Sequence, residues 1–152
     1  MDVLFAAIPA DRVDVLRRAL DRARLAGAPA QLAVGSSAEG HADQDVQSAD
    51  VVVSLPWPST DGALAAALAA MAARKPVIVL ETEASAGWPA LDPQTWRPRG
   101  RDADPPIVVS LDPRDEEHSL MLAIQRLARD ADLRTRLAAA AYDWSQRHPI
   151  PL

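Results

Sequence analysis

The residue types with the clearest chemical potential lie in one short segment, residues 56–62. It reads Pro-Trp-Pro-Ser-Thr-Asp-Gly and joins an apolar run to an Ala-rich stretch of helical character. The first backbone N–H groups of a helix have no partner within the helix, so a helix start attracts anions. Gly62 would let a phosphate approach the backbone closely, and the Asp61 carboxylate could accept hydrogen bonds from sugar hydroxyls. The segment therefore predicts a site for a phosphorylated ligand.

The same segment also has a purely structural interpretation. Ser59, Thr60 and Asp61 are all good N-capping residues, and an acidic residue in the first turn is stabilised by the helix dipole. On residue types alone, capping without any ligand is the more frequent role, and both interpretations stand at this point.

The apolar pattern predicts the elements that would position the segment. Short runs that are apolar throughout indicate buried strands at residues 3–8, 31–34, 51–55, 76–80 and 107–111. Helical periodicity and capping residues indicate helices at 11–26, from 60 or 61 to 74, and at 114–129 and 131–147. This alternation indicates an α/β fold, a doubly wound, Rossmann-like parallel sheet of about five or six strands with helices on both faces. Ligands of such sheets bind beyond the carboxyl ends of the strands.

Residues 1–152 are expected to form a single Rossmann-like domain. Within it, residues 81–106 are predicted to be a long loop, and residues 148–152 an irregular tail. The loop contains Trp88 and Trp96, which could stack on a sugar or a base, anchor the loop, or cover apolar surface. Its arginines, Arg97, Arg99 and Arg101, form a basic patch that could meet phosphate or an acidic acceptor, although a solvated patch is the more frequent case.

Composition narrows the classes of protein that fit. A net charge of −5 argues against nucleic acid as a partner. The absence of cysteine excludes disulfides, thiolate catalysis and Cys-ligated metals, and the scattered histidines His41, His118 and His148 lack ligand spacing, so no metal is expected. Neither a membrane-spanning apolar run nor the basic region of a signal peptide is found, so we expect a cytoplasmic protein.

The order of motifs closely resembles glycosyltransferase family 4. In that family the sequence runs Ala-Asp, strand, Pro-Ser-x-x-Glu-Gly, helix, Glu-Ala-Met-Ala-x-Gly-x-Pro-Val, strand. The corresponding segments here are 48–56, then Ser59-Thr60-Asp61-Gly62, then 70–80. Residues 111–115 resemble the family's Pro-x-Asp turn, and 130–134 its Asp-Pro-Glu-Leu-Arg junction. The similarity covers about residues 44–147, and the combined order is more specific than any single motif.

The resemblance implies the C-terminal, donor-binding half of a GT-B glycosyltransferase, which holds a nucleotide-diphosphate sugar as donor substrate without cofactor or metal. Asp61 takes the place of the family's first glutamate, which contacts the donor sugar, and is the implied catalytic-site residue. The second glutamate, which holds the ribose, is replaced by Ala69. The implied donor-binding residues are Gly35, Ser59, Thr60, Gly62, Ala63 and Leu64.

The chain also departs from the family's pattern in its charged groups. After the first strand the family has a Gly-Arg-x-x-x-x-Lys-Gly motif, whose Arg and Lys face the diphosphate, and residues 8–12 have neither cation at the matching place. After the second strand the family has Gly-Asp-Gly-Pro, whereas residues 35–37 are Gly-Ser-Ser. Arg74 stands where the family has a helix-ending glycine. Each lost charge-assisted hydrogen bond weakens donor binding by about 1.5–3 kcal/mol.

The expected function is donor binding for sugar transfer to an acceptor hydroxyl. A GT-B enzyme needs an N-terminal Rossmann-like half for the acceptor, so we expect the isolated chain to be inactive, with peripheral membrane association only through a parent enzyme. Two other functions remain open: a non-catalytic, glycosyltransferase-like binding or interaction module, and a flavodoxin-like binder of a nucleotide or phospho-ligand.

Overall fold

The computed structural model describes residues 1–6, 13–32, 47–54, 61–81, 87–99 and 105–148. For residues 4–6, 13, 31–32 and 61–66 it describes the backbone alone. The predicted segments 35–37 and 56–60 lie outside these residues, as do residues 149–152 of the predicted tail.

The described strands form one seven-stranded sheet in the order β2-β1-β3-β4-β7-β5-β6. Its strands are β1 Asp2–Ala6, β2 Gln31–Leu32, β3 Val51–Ser54, β4 Val77–Leu80, β5 Ala90–Leu91, β6 Pro98–Arg99 and β7 Val108–Leu111. Six strands run parallel, and β6 alone is antiparallel to its neighbour. Strands β3, β4 and β7 are buried along their whole length, as parallel strands covered on both faces must be. The predicted Rossmann-like α/β fold is confirmed.

Four amphipathic or Ala-rich segments supply the helices that cover the sheet. They are α1 Val13–Leu25, α2 Asp61–Ala72, α3 Glu116–Arg129 and α4 Ala131–Arg147. A 3₁₀ turn, Pro113–Asp115, leads into α3. Asp130 alone separates α3 from α4, and its carboxylate accepts a hydrogen bond from the Leu133 N–H at 3.0 Å. This cap starts α4 where the sequence pattern predicts it.

The pleat of each strand divides the core into two apolar clusters, one on each face of the sheet. In β3, Val51 and Val53 join the cluster beneath α1 and α3, whereas Val52 joins the cluster beneath α2. Helix α4 contributes Leu137 to the first cluster and Ala141 to the second. It therefore passes from one face of the sheet to the other and ties both layers together.

Helix α2 ends where the sequence predicts, in a turn whose left-handed residue is Arg74. The Arg74 N–H donates to the Met71 carbonyl at 3.1 Å, and the Lys75 N–H donates to the Ala70 carbonyl at 3.0 Å. This hydrogen-bond pair needs a left-handed residue, which is usually glycine, and Arg74 takes that conformation with φ of 60°. Its guanidinium carbon lies 4.1 Å from the centre of the Tyr142 ring on α4, which gives the arginine a cation–π contact.

We predict that Arg74→Gly is more stable than Arg74→Ala by about 1 kcal/mol, because only glycine adopts the left-handed conformation without strain. Both variants lose the contact with Tyr142, so the difference between their free energies of unfolding reports the cost of the left-handed backbone conformation alone. Urea unfolding of the two proteins measures it. Equal stabilities would mean that the helix does not end in a left-handed residue.

The connection between β4 and β7 differs from the predicted long loop over residues 81–106. It adds β5 and β6 to the edge of the sheet, with Ala90 paired to Val108 and Leu91 to Val109. A tight turn then reverses the chain, in which the Asp92 N–H donates to the Arg97 carbonyl at 3.1 Å. Two-residue strands flanked by prolines carry no readable periodicity, so the pattern could not predict them.

Both tryptophans of this connection pack on the protein. The Trp88 ring centroid lies 5.3 Å from that of Trp144 on α4. Trp96 packs against the first apolar cluster, and the Arg126 guanidinium carbon lies 5.1 Å from its ring centre. Of the roles considered for them, the structure agrees with anchoring of the connection.

Candidate functional site

In the described sheet the strand order reverses between β1 and β3, and again where the chain returns from β6 to β7. The first reversal lies beside the predicted segment. From β1 the chain goes outward to β2 and then returns to β3 on the other side of β1. Residues Val3 and Ala6 of β1 are the parallel partners of Val51 and Ser54, so the carboxyl ends of the two strands lie side by side. Helix α1 follows β1 onto one face, and α2 lies on the other. Connections that diverge in this way leave a crevice, which is the usual ligand site of an open α/β sheet.

Of the predicted site residues, Gly35, Ser59 and Thr60 lie outside the described part of the chain. The others form the first turn of α2 on the segment that follows β3: Asp61, Gly62, Ala63 and Leu64. Their backbone is helical from Asp61 onward, whereas their side chains are outside the description. The structure thus gives the position of this turn, and the role of the Asp61 carboxylate stays a prediction.

The first turn of α2 has the backbone chemistry of an anion site. The leading N–H groups of a helix lack intrahelical acceptors, and the aligned peptide dipoles place roughly half a positive charge there. Ser54, at the end of β3, is 1% exposed. An anion in the crevice would therefore meet backbone donors on the α2 side.

Ala69 lies on the solvent side of α2, two turns beyond its start. Its neighbours Ala67, Ala70 and Met71 are buried against the sheet, whereas Ala69 is exposed. A methyl group accepts no hydrogen bond, so the position that the resemblance assigns to ribose binding carries no acceptor. Because it is exposed, the same position has room for a longer side chain.

An ion pair at the carboxyl ends of β4 and β7 was missed by the sequence pattern. Arg99 of β6 pairs with Glu81, directly after β4, at 3.0 Å, and donates to the Ser110 carbonyl of β7 at 2.7 Å. The prediction of a solvated patch is therefore wrong for Arg99, because its guanidinium fastens the edge hairpin to two strand ends. Arg97 is exposed as expected, and Arg101 lies outside the described residues. Only the antiparallel pairing of β6 brings Arg99 to Glu81, so spacing gave no signal.

Asp112, the residue after β7, is engaged by the turn that follows it. Its carboxylate accepts from the Arg114 N–H at 2.9 Å and from the Arg114 guanidinium at 3.0 Å. These hydrogen bonds hold the pKa of Asp112 below its ordinary value, and the bond from the Arg114 guanidinium contributes more than the bond from the Arg114 backbone. The ionised carboxylate therefore caps the 3₁₀ turn, and both of its oxygens already accept hydrogen bonds from Arg114.

Metal ligands are sparse in the described ranges. No group of three or more His, Asp or Glu side chains that could hold a metal ion is found among residues 1–148 outside the undescribed gaps. His118 lies in the first turn of α3 and His148 follows α4, whereas His41 lies outside the described residues. In the same ranges, no helix is long and apolar enough to cross a membrane.

Comparison with known protein families and with curated proteins finds no match to this chain. The similarity to glycosyltransferase family 4 therefore rests on the order of motifs in the sequence.

We predict that Arg99→Gln lowers the free energy of unfolding by about 1 kcal/mol, since it loses a partly exposed ion pair and a charged bond to a carbonyl. Arg99→Lys should recover little of this, because one ammonium cannot reproduce the planar fork that reaches Glu81 and Ser110 together. Urea unfolding of both variants provides the measurement.

The matched control is Arg97→Gln, which removes an exposed arginine two residues away and should change stability by less than about 0.5 kcal/mol. If the variants at 97 and 99 were equally stable, the fastening role of Arg99 would be excluded.

Proposed function

We propose that this chain is a donor-binding domain of the GT-B glycosyltransferase type, which holds a nucleotide-diphosphate sugar for transfer to an acceptor hydroxyl. One observation carries the proposal. The first turn of α2, which bears the Asp61-Gly62 pair of the family-like motif, begins on the segment that follows β3, the strand beside β1 at the switch point. Motif and switch point are independent indications, and they coincide.

The first turn of α2 suits a diphosphate in charge. The amides of Gly62 and Ala63 belong to the first turn of α2, and their N–H groups lack helical acceptors. A glycine at this position allows a phosphate to approach the backbone more closely than any side chain would permit. In the proposed pose the sugar lies towards Asp61, whose carboxylate accepts hydrogen bonds from its hydroxyls.

The proposed binding is weak, because recognition falls mainly on the backbone. Ala69 is exposed on α2 and offers no acceptor to the ribose. Each charged hydrogen bond that is missing costs about 1.5–3 kcal/mol, or roughly 10- to 150-fold in affinity. We therefore expect dissociation constants for nucleotide diphosphates on the order of 1 mM.

Turnover would require a second Rossmann-like domain, because the proposed reaction occurs in a cleft between the two halves of a GT-B fold. The described residues form one such sheet with its helices. We propose that this domain alone binds donor without transferring sugar, that it acts in the cytoplasm, and that any membrane association is peripheral and comes from the parent enzyme.

The strand order favours a second candidate, a phospho-ligand binder without sugar chemistry. The order β2-β1-β3-β4-β7 is that of flavodoxin-like domains, which bind a flavin phosphate at the same switch point. The Rossmann strand order 3-2-1-4-5-6 becomes equivalent to it when strand 3 is left out, because the remaining strands follow the same path. The strand order therefore fits both kinds of domain, and only the ligand that binds can distinguish the two functions.

The exposed Ala69 favours a third candidate, a glycosyltransferase-like module that has lost donor binding and serves as an interaction domain. In that case no nucleotide binds at all, and restoring an acceptor on α2 changes nothing.

We predict that Ala69→Glu tightens binding of UDP or GDP about tenfold, because it returns one charged acceptor for the ribose hydroxyls. Calorimetry with UDP, GDP, their sugars and FMN measures the effect. The exposed position should tolerate glutamate without loss of stability.

Two variants complete the test. Ala72→Glu places the same charge at another exposed position of α2, one turn further from its start, and should leave affinity unchanged. Asp61→Ala should weaken binding of a nucleotide sugar more than binding of the nucleotide alone. A preference for FMN would favour the flavodoxin-like candidate, and no saturation by any nucleotide at about 10 mM would exclude the donor site.

A further inference from the structure

A second concave surface lies far from the crevice, between the β5–β6 hairpin and helices α3 and α4. It is a cavity of about 410 Å³, within the range of volumes that hold small molecules. Leu91, Leu133 and Leu137 give it an apolar floor, and all three are buried. Trp96 forms one side. The surface suits a compact ligand with an apolar body.

The cavity lies beside the β5–β6 edge of the sheet, and β4 and β7 separate that edge from the β1–β3 pairing. Helix α3 starts just after the carboxyl end of β7, and its last turn reaches the cavity. Arg126, which lines the cavity, is in that last turn. A ligand here would not compete with a nucleotide in the crevice.

Two arginines lie at the cavity beside one carboxylate. Arg126 lies over the Trp96 ring and donates through Nε to the Asp130 carboxylate at 3.2 Å. Arg136, which is exposed, also lines the cavity, and its charge acts on the same Asp130 carboxylate. Among the described residues at the cavity, two positive charges thus share one negative charge, and the net positive charge favours an anion.

The backbone at Trp96 is strained in a way that keeps the ring at the cavity. Trp96 has φ of 58°, a conformation that bulky residues rarely adopt. Its N–H donates to the Asp92 carbonyl at 2.6 Å, which holds the turn between β5 and β6. Strained residues of this kind concentrate at ligand sites, where the surrounding structure sustains the cost.

We propose that this cavity binds a small aromatic carboxylate. The aromatic ring lies on the leucine floor against Trp96, where offset or edge-to-face contact with the indole is favourable. The carboxylate receives paired hydrogen bonds from the exposed Arg136 guanidinium, a geometry that arginine is suited to provide. A single carboxylate balances the net positive charge of Arg126 and Arg136 beside Asp130.

Benzoate is the probe for the test, with benzamide as its neutral counterpart and acetate as the anion without a ring. The indole N–H signal of Trp96 in ¹H–¹⁵N NMR spectra is the readout. We expect saturable shifts with a dissociation constant of about 1 mM for benzoate, and at least tenfold weaker binding of the other two. UDP should leave this signal unchanged, which separates the cavity from the crevice.

Arg136→Gln should weaken the binding of benzoate at least about fivefold, because it removes the charged hydrogen bonds to the carboxylate. The variant should stay folded, as judged by its NMR spectrum, because Arg136 is exposed. Arg22→Gln removes an exposed arginine of α1 outside the cavity and serves as the matched control. The proposal is overturned if benzamide binds as tightly as benzoate, if the two arginine variants bind alike, or if benzoate gives no saturation at about 20 mM.

Discussion

The parallel pairing of β1 with β3 is the interaction on which the rest of the structure depends. Four consecutive residue pairs align the two strands, from Val3 with Val51 to Ala6 with Ser54. Val51, Val52 and Val53 are fully buried, which stabilises the centre of the sheet by about 2 kcal/mol for each side chain. Because β2 lies on the far side of β1, this pairing creates the switch point. It also sends α1 and α2 to opposite faces, and so determines where a crevice can exist.

Helix α4 and the β5–β6 hairpin join the apolar clusters that cover this central pair of strands, and the cavity lies between them and α3. Helix α4 begins at the Asp130 cap, contributes to the first apolar cluster through Leu137, and reaches the second through Ala141. At the edge, Arg99 fastens the β5–β6 hairpin to Glu81. The same hairpin holds Trp96 against α3 and α4. The molecule thus has a switch point between β1 and β3 and, beside the β5–β6 edge, a cavity lined by two arginines.

Long apolar runs and capping residues were sufficient to predict β3, β4, β7 and the helices, because burial on both faces leaves a continuous apolar signal. Strands of two residues, such as β6, carry no such signal. Arg74 looks unsuitable for a helix end, and only its backbone conformation and its contact with Tyr142 show how it serves there. At the switch point, the sequence predicted the helix start at Asp61, whereas its role towards a ligand stays a prediction. The pairing of Arg99 with Glu81 could not be predicted, because it depends on the register of the edge hairpin.

The most direct test of the central claim is a titration with UDP followed by backbone-amide NMR. If the β1–β3 switch point is a diphosphate site, the largest saturable shifts fall on the amides of Gly62, Ala63 and Leu64. The ends of β1 and β3 should respond next, and the last turn of α3 should not respond. Shifts that spare the first turn of α2 and cluster elsewhere on the protein would contradict the account.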